Sequence, residues 1–442
     1  MKFEVLKRNH LKRNILIGVV AIFIISAIIF NLSSAKYRVR NSVPIIHSEI
    51  NYIPYDFKIM AMYQENDTGE YTEIESMPSN GYIINEEMSY CTLDNVNKDE
   101  SARVYTDDKG QHVFSGLKKS SKCYLYFDKD QKNLNDEILA KITTQSIRTD
   151  FSTIVNATTT GVIYYADTDT GRTYYFAGAP TDNWVYFAGF YWRIIRINED
   201  GSIRLIYSGD SSSGPVETGE ATQIGKSAFN SEYLRNNMYV GYMYQDGKVH
   251  GLQNDSTIKT VLDKWYQNNL LIYSQYISTK AGFCGDREPS ISLTTSNGKG
   301  GTGSTTTYYG ASIRLNTNKA PSFKCKNESD LYTVVSSNQG NKALTYPIGL
   351  ITADEVSFAG GVFYSSNSEY YLYTNQYYWT MTPYNLYDGI RATAFYVFPE
   401  GGPYFNNVDS AYGVRPVINL SENVTITGSG TSTDPYTVVG AS

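Results

Sequence analysis

The sequence predicts an α+β fold in three parts: an N-terminal transmembrane helix, a small all-β sandwich-like domain, and a larger α+β domain with an antiparallel sheet and long loops. Three observations predict it. An uncharged apolar run lies near the start of the chain. Short β-prone runs separated by turn residues fill positions 51–130. Beyond Gly161, strands and helices follow one another without strict alternation, which is the pattern of α+β rather than of parallel α/β.

The apolar run is Ile15–Leu32, ILIGVVAIFIISAIIFNL, 18 residues without a charge. At 1.5 Å per residue it covers about 27 Å, close to the thickness of a hydrocarbon core. Five Lys/Arg precede it in the tail 1–14, so the tail is expected in the cytoplasm and the C-terminal bulk outside, as a single-pass protein of the cell membrane. Ser33-Ser34-Ala35 offers a cleavage site for a signal peptide. The length favours an uncleaved signal anchor, because signal-peptide cores run to about 7–15 residues. Either way residues 36–442 are exported. Among 442 residues, 41% are apolar and 19% charged, which excludes a multi-span membrane protein and argues against a disordered one.

Charge is unevenly spread. Residues 1–40 carry eight basic side chains and one acid, a net of +7, so the total of −6 leaves −13 on the remainder. An acidic body repels phosphate, so nucleic acid is excluded as a partner. The four cysteines, Cys91, Cys123, Cys284 and Cys325, all lie in the exported part, which suggests disulfides. Of three possible pairings, Cys91 with Cys123 and Cys284 with Cys325 keeps each bond inside one domain. No CxxC or HxxxH spacing exists, so neither a metal site nor a cofactor is expected.

Residues 33–50 read as a stalk. In 51–130, FKIMAMY, GYIIN, ARVYT and CYLYFD are strand candidates, separated by turn chemistry such as Asn66-Asp67-Thr68-Gly69 and Asp107-Asp108-Lys109-Gly110. Residues 131–160 form a connector, with Leu134, Ile138 and Ile142 spaced for a short helix. The larger domain spans 161–442. Its clearest hairpin is FYWRIIRINEDGSIRLIYS, turning at Asn198-Glu199-Asp200-Gly201. Asp255 or Ser256 can cap a helix with Ile258, Val261, Leu262 and Trp265 on one face. Residues 294–307 carry no apolar side chain and are expected to form an exposed, mobile loop. Thr352 and Glu355 make a capping box, and Pro416 confines its strand to an edge or a bulge.

The strings AGFYWRIIRINEDGSIRLIYSG (188–209), GLITADEVSFAGG (349–361), YWTMTP (378–383) and YGVRPVINL (412–420) together resemble a group of exported proteins of gut-associated Gram-positive bacteria. The C-terminal module of that group is similar in motif order to the C-type-lectin-like fold, in the branch that includes formylglycine-generating enzyme. MPSNGYIINEEMSYCT (77–92) and SGLKKSSKCYLYFDKD (115–130) resemble the small β module that precedes it. The resemblance implies a twisted antiparallel sheet with ligand-displaying loops. It carries no chemistry across: no cysteine follows Cys325, and neither the Glu-Pro-Asn nor the Trp-Asn-Asp motif of calcium-dependent lectins occurs.

Catalysis has little to work with. His250 is the sole histidine beyond residue 112 and sits in a polar stretch, so it reads as an exposed loop residue. GKGGTG (298–303) lacks the Lys-Ser/Thr ending of a phosphate loop. Asp388, Glu400 and Asp409 are near one another in sequence and read as scattered surface acids. The most suggestive surface is the tyrosine-rich stretch 364–412. Tyr384, Tyr387 and Tyr404 with Asp388, Asn406, Asn407 and Asp409 combine flat apolar rings with directed hydrogen bonds, the needs of a carbohydrate or protein ligand. The expectation is a membrane-anchored cell-surface protein of non-catalytic binding or adhesion type. An exported enzyme, degenerate relative to formylglycine-generating enzyme or carbohydrate-active, is the alternative, and a structural envelope protein the third.

Overall fold

The computed structural model describes residues 57–441, apart from 67–68, 79–80, 108–109, 143–144, 156–161, 233–234, 291–306, 336–339 and 388. The expected cytoplasmic tail, membrane helix, stalk and most of the glycine-rich loop 294–307 lie outside the described residues. Among the described residues no helix is long and apolar enough to cross a membrane.

The α+β expectation is corrected. Strand takes 36% and helix 15% of the described residues, and the sheets are mixed rather than antiparallel. Three helices sit where capping and periodicity put them, at Leu134–Ala140, Thr257–Asn269 and Ala353–Ala359, two of them only seven residues long, and a short helix Gly310–Ser312 that runs into a π-turn Ile313–Thr317 was not foreseen. Short 3₁₀ helices, such as Asn237–Val240 and Leu271–Tyr276, lie among the connections. Parallel pairing enters where strands distant in sequence meet. Lys58–Glu65 runs parallel to Lys122–Lys129, and Trp184–Phe187 runs parallel to Tyr436–Val438 near the chain end.

Residues 57–130 hold a five-stranded sheet around Lys122–Lys129, whose alternate residues Cys123, Leu125 and Phe127 are buried. A separate hairpin, Arg103–Thr106 with His112–Ser115, contributes Val104 and Phe114 to the same core. Cys91 is bonded to Cys123, on the adjoining strand. Cys284 is bonded to Cys325 in the larger part. Two disulfides mark a chain that belongs in an extracellular or otherwise oxidising environment.

The rest of the chain builds a nine-stranded and a six-stranded sheet. The nine-stranded sheet centres on the hairpin Phe190–Ile197 with Ile203–Asp210. Gly201 closes its turn at φ +82°, in the left-handed region, and Asp200 accepts from the Ser202 N–H and hydroxyl. Both faces of this hairpin are covered, so the arginines that alternate with its isoleucines are not a solvent face. Arg193 is buried and donates to Asn183 and to the Pro180 carbonyl, with its guanidinium over the Trp184 ring. Val417–Leu420, just after Pro416, forms the edge of the sheet. The six-stranded sheet is built on Tyr378–Tyr387, Arg391–Val397 and Pro403–Asn407.

Candidate functional site

The tyrosine-rich stretch folds into the six-stranded sheet, which divides its rings between core and surface. Tyr384 is 5% exposed and stacks on Phe405 at 3.8 Å between ring centroids, within a cluster that includes Phe395 and Leu315. Burial pushes its hydroxyl up to about 12, so it is a core ring. Tyr387 is exposed at the strand end, beside Asp388, which lies outside the described residues. Asp409 is exposed, and Asn407 is half-buried in register with Thr393. Asn406 donates to the Tyr412 hydroxyl, and its own side-chain oxygen accepts from the Asn407 N–H at 2.8 Å.

Tyr404 belongs to a ladder of rings that local sequence does not single out. Tyr364 leans on Tyr404 at 4.7 Å, and Tyr404 meets Tyr396 edge-on at 6.3 Å. Tyr396 meets Tyr412 at 4.8 Å, and Tyr377 stacks on Tyr412 at 4.9 Å with planes 13° apart. Tyr364 is 70% and Tyr377 45% exposed, so the two ends of the ladder face solvent. Trp379 lies buried beneath, its indole N–H donating to the Ser227 carbonyl. The ladder depends on strand register: Tyr396 is the cross-strand partner of Tyr404 and of Trp379. The one local signal is the density of tyrosine from 364 to 412.

A second feature was not visible in the sequence at all. A cleft of about 590 Å³ opens between the central hairpin of the nine-stranded sheet, the segment 280–286, the segment 322–328 and the start of helix Ala353–Ala359. Its floor is charged. The capping-box Glu355 accepts from the Thr352 N–H with one oxygen. The other oxygen accepts from Arg196 Nε at 3.1 Å and lies 2.6 Å from Arg204 Nε in an ion pair. Arg204 and Glu355 are 1% and 2% exposed. Burial alone would raise the Glu355 carboxyl, but the two guanidiniums and the Thr352 N–H outweigh it and hold it below the ordinary range. A residue read as a helix cap is thus also the counter-ion of two arginines.

Beside it, Arg314 grips Asp354 with two bonds, at 2.7 and 2.6 Å, and reaches Asp286 with the same Nη2 at 2.6 Å. Asp286 is buried and has φ +44°, in the left-handed region that Asp and Asn enter more readily than other non-glycine residues. Its carboxyl is raised to about 6, first by burial and then by Asp354, against the pull of Arg314. The Cys284–Cys325 disulfide edges the cleft, and the Cys325 N–H donates to Asp169 on the opposite rim. His250 is not a free loop residue. Its Nδ1 lies 2.9 Å from buried Asp330, which also takes two bonds from the Arg287 guanidinium, and its Nε2 lies 3.2 Å from Asn327 and 3.4 Å from Glu288. Among the described residues no group of three or more His, Cys, Asp or Glu is arranged to hold a metal.

Compared with protein-family models, with curated proteins and with solved structures, the chain finds no match in any of the three.

Proposed function

We propose that this chain is a cell-surface binding protein, held at the membrane by Ile15–Leu32, whose tyrosine ladder meets a carbohydrate ligand without catalysis. The observation that carries the reading is the pair of solvent-facing rings, Tyr364 and Tyr377, at the ends of a rigid stack. Rings already packed against neighbours lose little conformational freedom on binding, and their flat faces suit a sugar ring. Asn406, on the same strand face as Tyr404 and bonded to Tyr412, adds an amide group beside the ladder. A protein ligand on the same rings is the other outcome that the test reads.

The enzyme alternative has one observation behind it, the two carboxylates Asp286 and Asp354. Glycosidases set two acids across a scissile bond. Here Arg314 Nη2 stands between them, 2.6 Å from each, in the space that bond needs.

The test is a glycan array and a panel of purified surface proteins, probed with the wild-type full chain and with Tyr364→Ala/Tyr377→Ala. Binding to a glycan that falls at least about tenfold in the double variant, with unchanged thermal unfolding, is the expected result. A wild-type chain that binds nothing on either panel would instead favour a structural envelope role.

A further inference from the structure

The charged cleft is separate from the tyrosine ladder, and the inference drawn from it does not rest on the ladder's function. Its floor holds three guanidiniums, Arg196, Arg204 and Arg314, and three carboxylates, Asp286, Asp354 and Glu355. Their charges cancel at neutral pH. Asp169, Glu199, Asp200 and Glu328 against Lys280, Lys324 and Lys326 complete the lining, so the cleft as a whole has no large excess of either sign.

What the floor does offer is unused hydrogen-bonding capacity. Arg196 uses Nε on Glu355 and Nη1 on the Thr173 hydroxyl, which leaves Nη2 without a bond to the other described residues. Arg314 uses Nε and Nη2 and leaves Nη1. Asp286 accepts through one oxygen, from Arg314, and leaves the other. Arg196, Arg314 and Asp286 all line the cleft, and none of the three atoms is bonded to another described residue. Two unused donors and an unused acceptor, fixed by ion pairs behind them, are pre-organised for groups that both donate and accept.

We propose that this cleft is a binding site for a neutral saccharide. Hydroxyls on neighbouring ring carbons can accept from Arg196 or Arg314 while donating to Asp286, which neither a simple anion nor a simple cation can do. The volume, about 590 Å³, falls within the roughly 300–1,000 Å³ of small-molecule pockets.

The experiment is ligand-observed NMR and calorimetry on the full chain. The probes are mono- and trisaccharides of glucose, galactose, mannose and N-acetylglucosamine, with inorganic phosphate and galacturonic acid as charged controls. Two variants address the cleft. Asp286→Asn keeps shape and tolerance of positive φ but removes the anionic acceptor. Thr170→Trp, on an exposed turn at the rim, narrows the mouth without touching the floor. The expected result is that at least one neutral saccharide binds. Each cleft variant should then weaken it by about tenfold or more, while Tyr364→Ala/Tyr377→Ala leaves it unchanged. Tighter binding of the trisaccharide than of its monosaccharide would identify the end of a longer chain as the source, and equal binding a free sugar. The proposal is overturned if no neutral saccharide binds at millimolar concentration. It also fails if the charged controls bind as well as the sugars do, or if Thr170→Trp, still folded, has no effect.

Discussion

Between Phe57 and Asp130 the buried apolar core is six side chains, Ile84, Cys91, Val104, Cys123, Leu125 and Phe127, and two of them are the halves of a disulfide. The buried polar residues there, Ser89, Thr92 and Ser121, carry no charge. Beyond residue 161 the core runs through Trp184, Trp192 and Trp379, and it also encloses Arg193, Arg204, Arg287, Arg415, Lys259, Asp330 and Glu355. A small unit cannot bury enough apolar area to carry buried ions, and it substitutes a covalent link. A large one can carry them, some as ion pairs, such as Arg287 with Asp330 and Lys259 with Asp263, and others, Arg193 and Arg415, on carbonyls and aromatic rings. The difference predicts different responses to loss of a single group.

The largest effect is expected in the large unit. Glu355→Ala strips the counter-ion from two buried guanidiniums and the bond from the Thr352 N–H together. A loss of about 3–5 kcal/mol is expected, read by denaturant unfolding. Glu220→Ala, which removes an exposed partner of Lys226, is expected to change almost nothing. Equal effects from the two would show that burial does not set the cost. In the small unit, Cys91→Ala/Cys123→Ala opens a 32-residue loop and is expected to cost about 3–4 kcal/mol. Calorimetry should show that loss confined to one transition. A shift of the whole profile would mean that the two regions unfold as one.

Asp286 gives the comparison a pH axis. Its carboxyl is raised from 3.8 to about 6 by burial and by Asp354, with Asp330 adding to the push, against Arg314. The folded protein therefore binds more protons than the unfolded chain between about pH 4 and pH 6, and this group's contribution to stability is lost as pH rises through that window. The cost at pH 7 is at most about 3 kcal/mol. Glu355 and Asp330, held low, act in the opposite sense: their contribution is present above pH 4 and is lost as pH falls further. In Asp286→Asn the decline between pH 4 and pH 6 should flatten. A variant whose pH profile overlays the wild type would remove Asp286 from the account.

Sequence reading reached the features that local chemistry sets. The Asp200-Gly201 turn, the Thr352 capping box and the Ser256 cap of Thr257–Asn269 are each fixed within four residues, and each is present. What it missed is set by partners far along the chain. Tyr436–Val438 completes the sheet beside Trp184–Phe187, about 250 residues earlier, and makes it mixed. Alternation in the central hairpin shows two faces but not what covers the second. Glu355 covers it, 159 residues away. Tyr384 and Tyr404 were indistinguishable in sequence, yet register turns one onto Phe405 in the core and the other into the ladder.

The smallest effect is expected at the ladder's outer ring, Tyr364, and set beside Tyr384 it gives the sharpest contrast. Tyr364, at the exposed end of the ladder, makes ring contacts with Tyr404 and Phe398 and is 70% exposed, so Tyr364→Ala should cost no more than about 1 kcal/mol. Its backbone φ of +55° is as uncomfortable for alanine as for tyrosine, so the exchange isolates the side chain. Tyr384→Ala opens a cavity between Phe405, Phe395 and Phe363 and should cost about 3–5 kcal/mol. Paired thermal melts of the two variants measure how far the sheet separates structure from surface. If Tyr364→Ala destabilised the fold as much as Tyr384→Ala does, the outer rings would be core by another name, and the ladder would lose its claim to be a binding face.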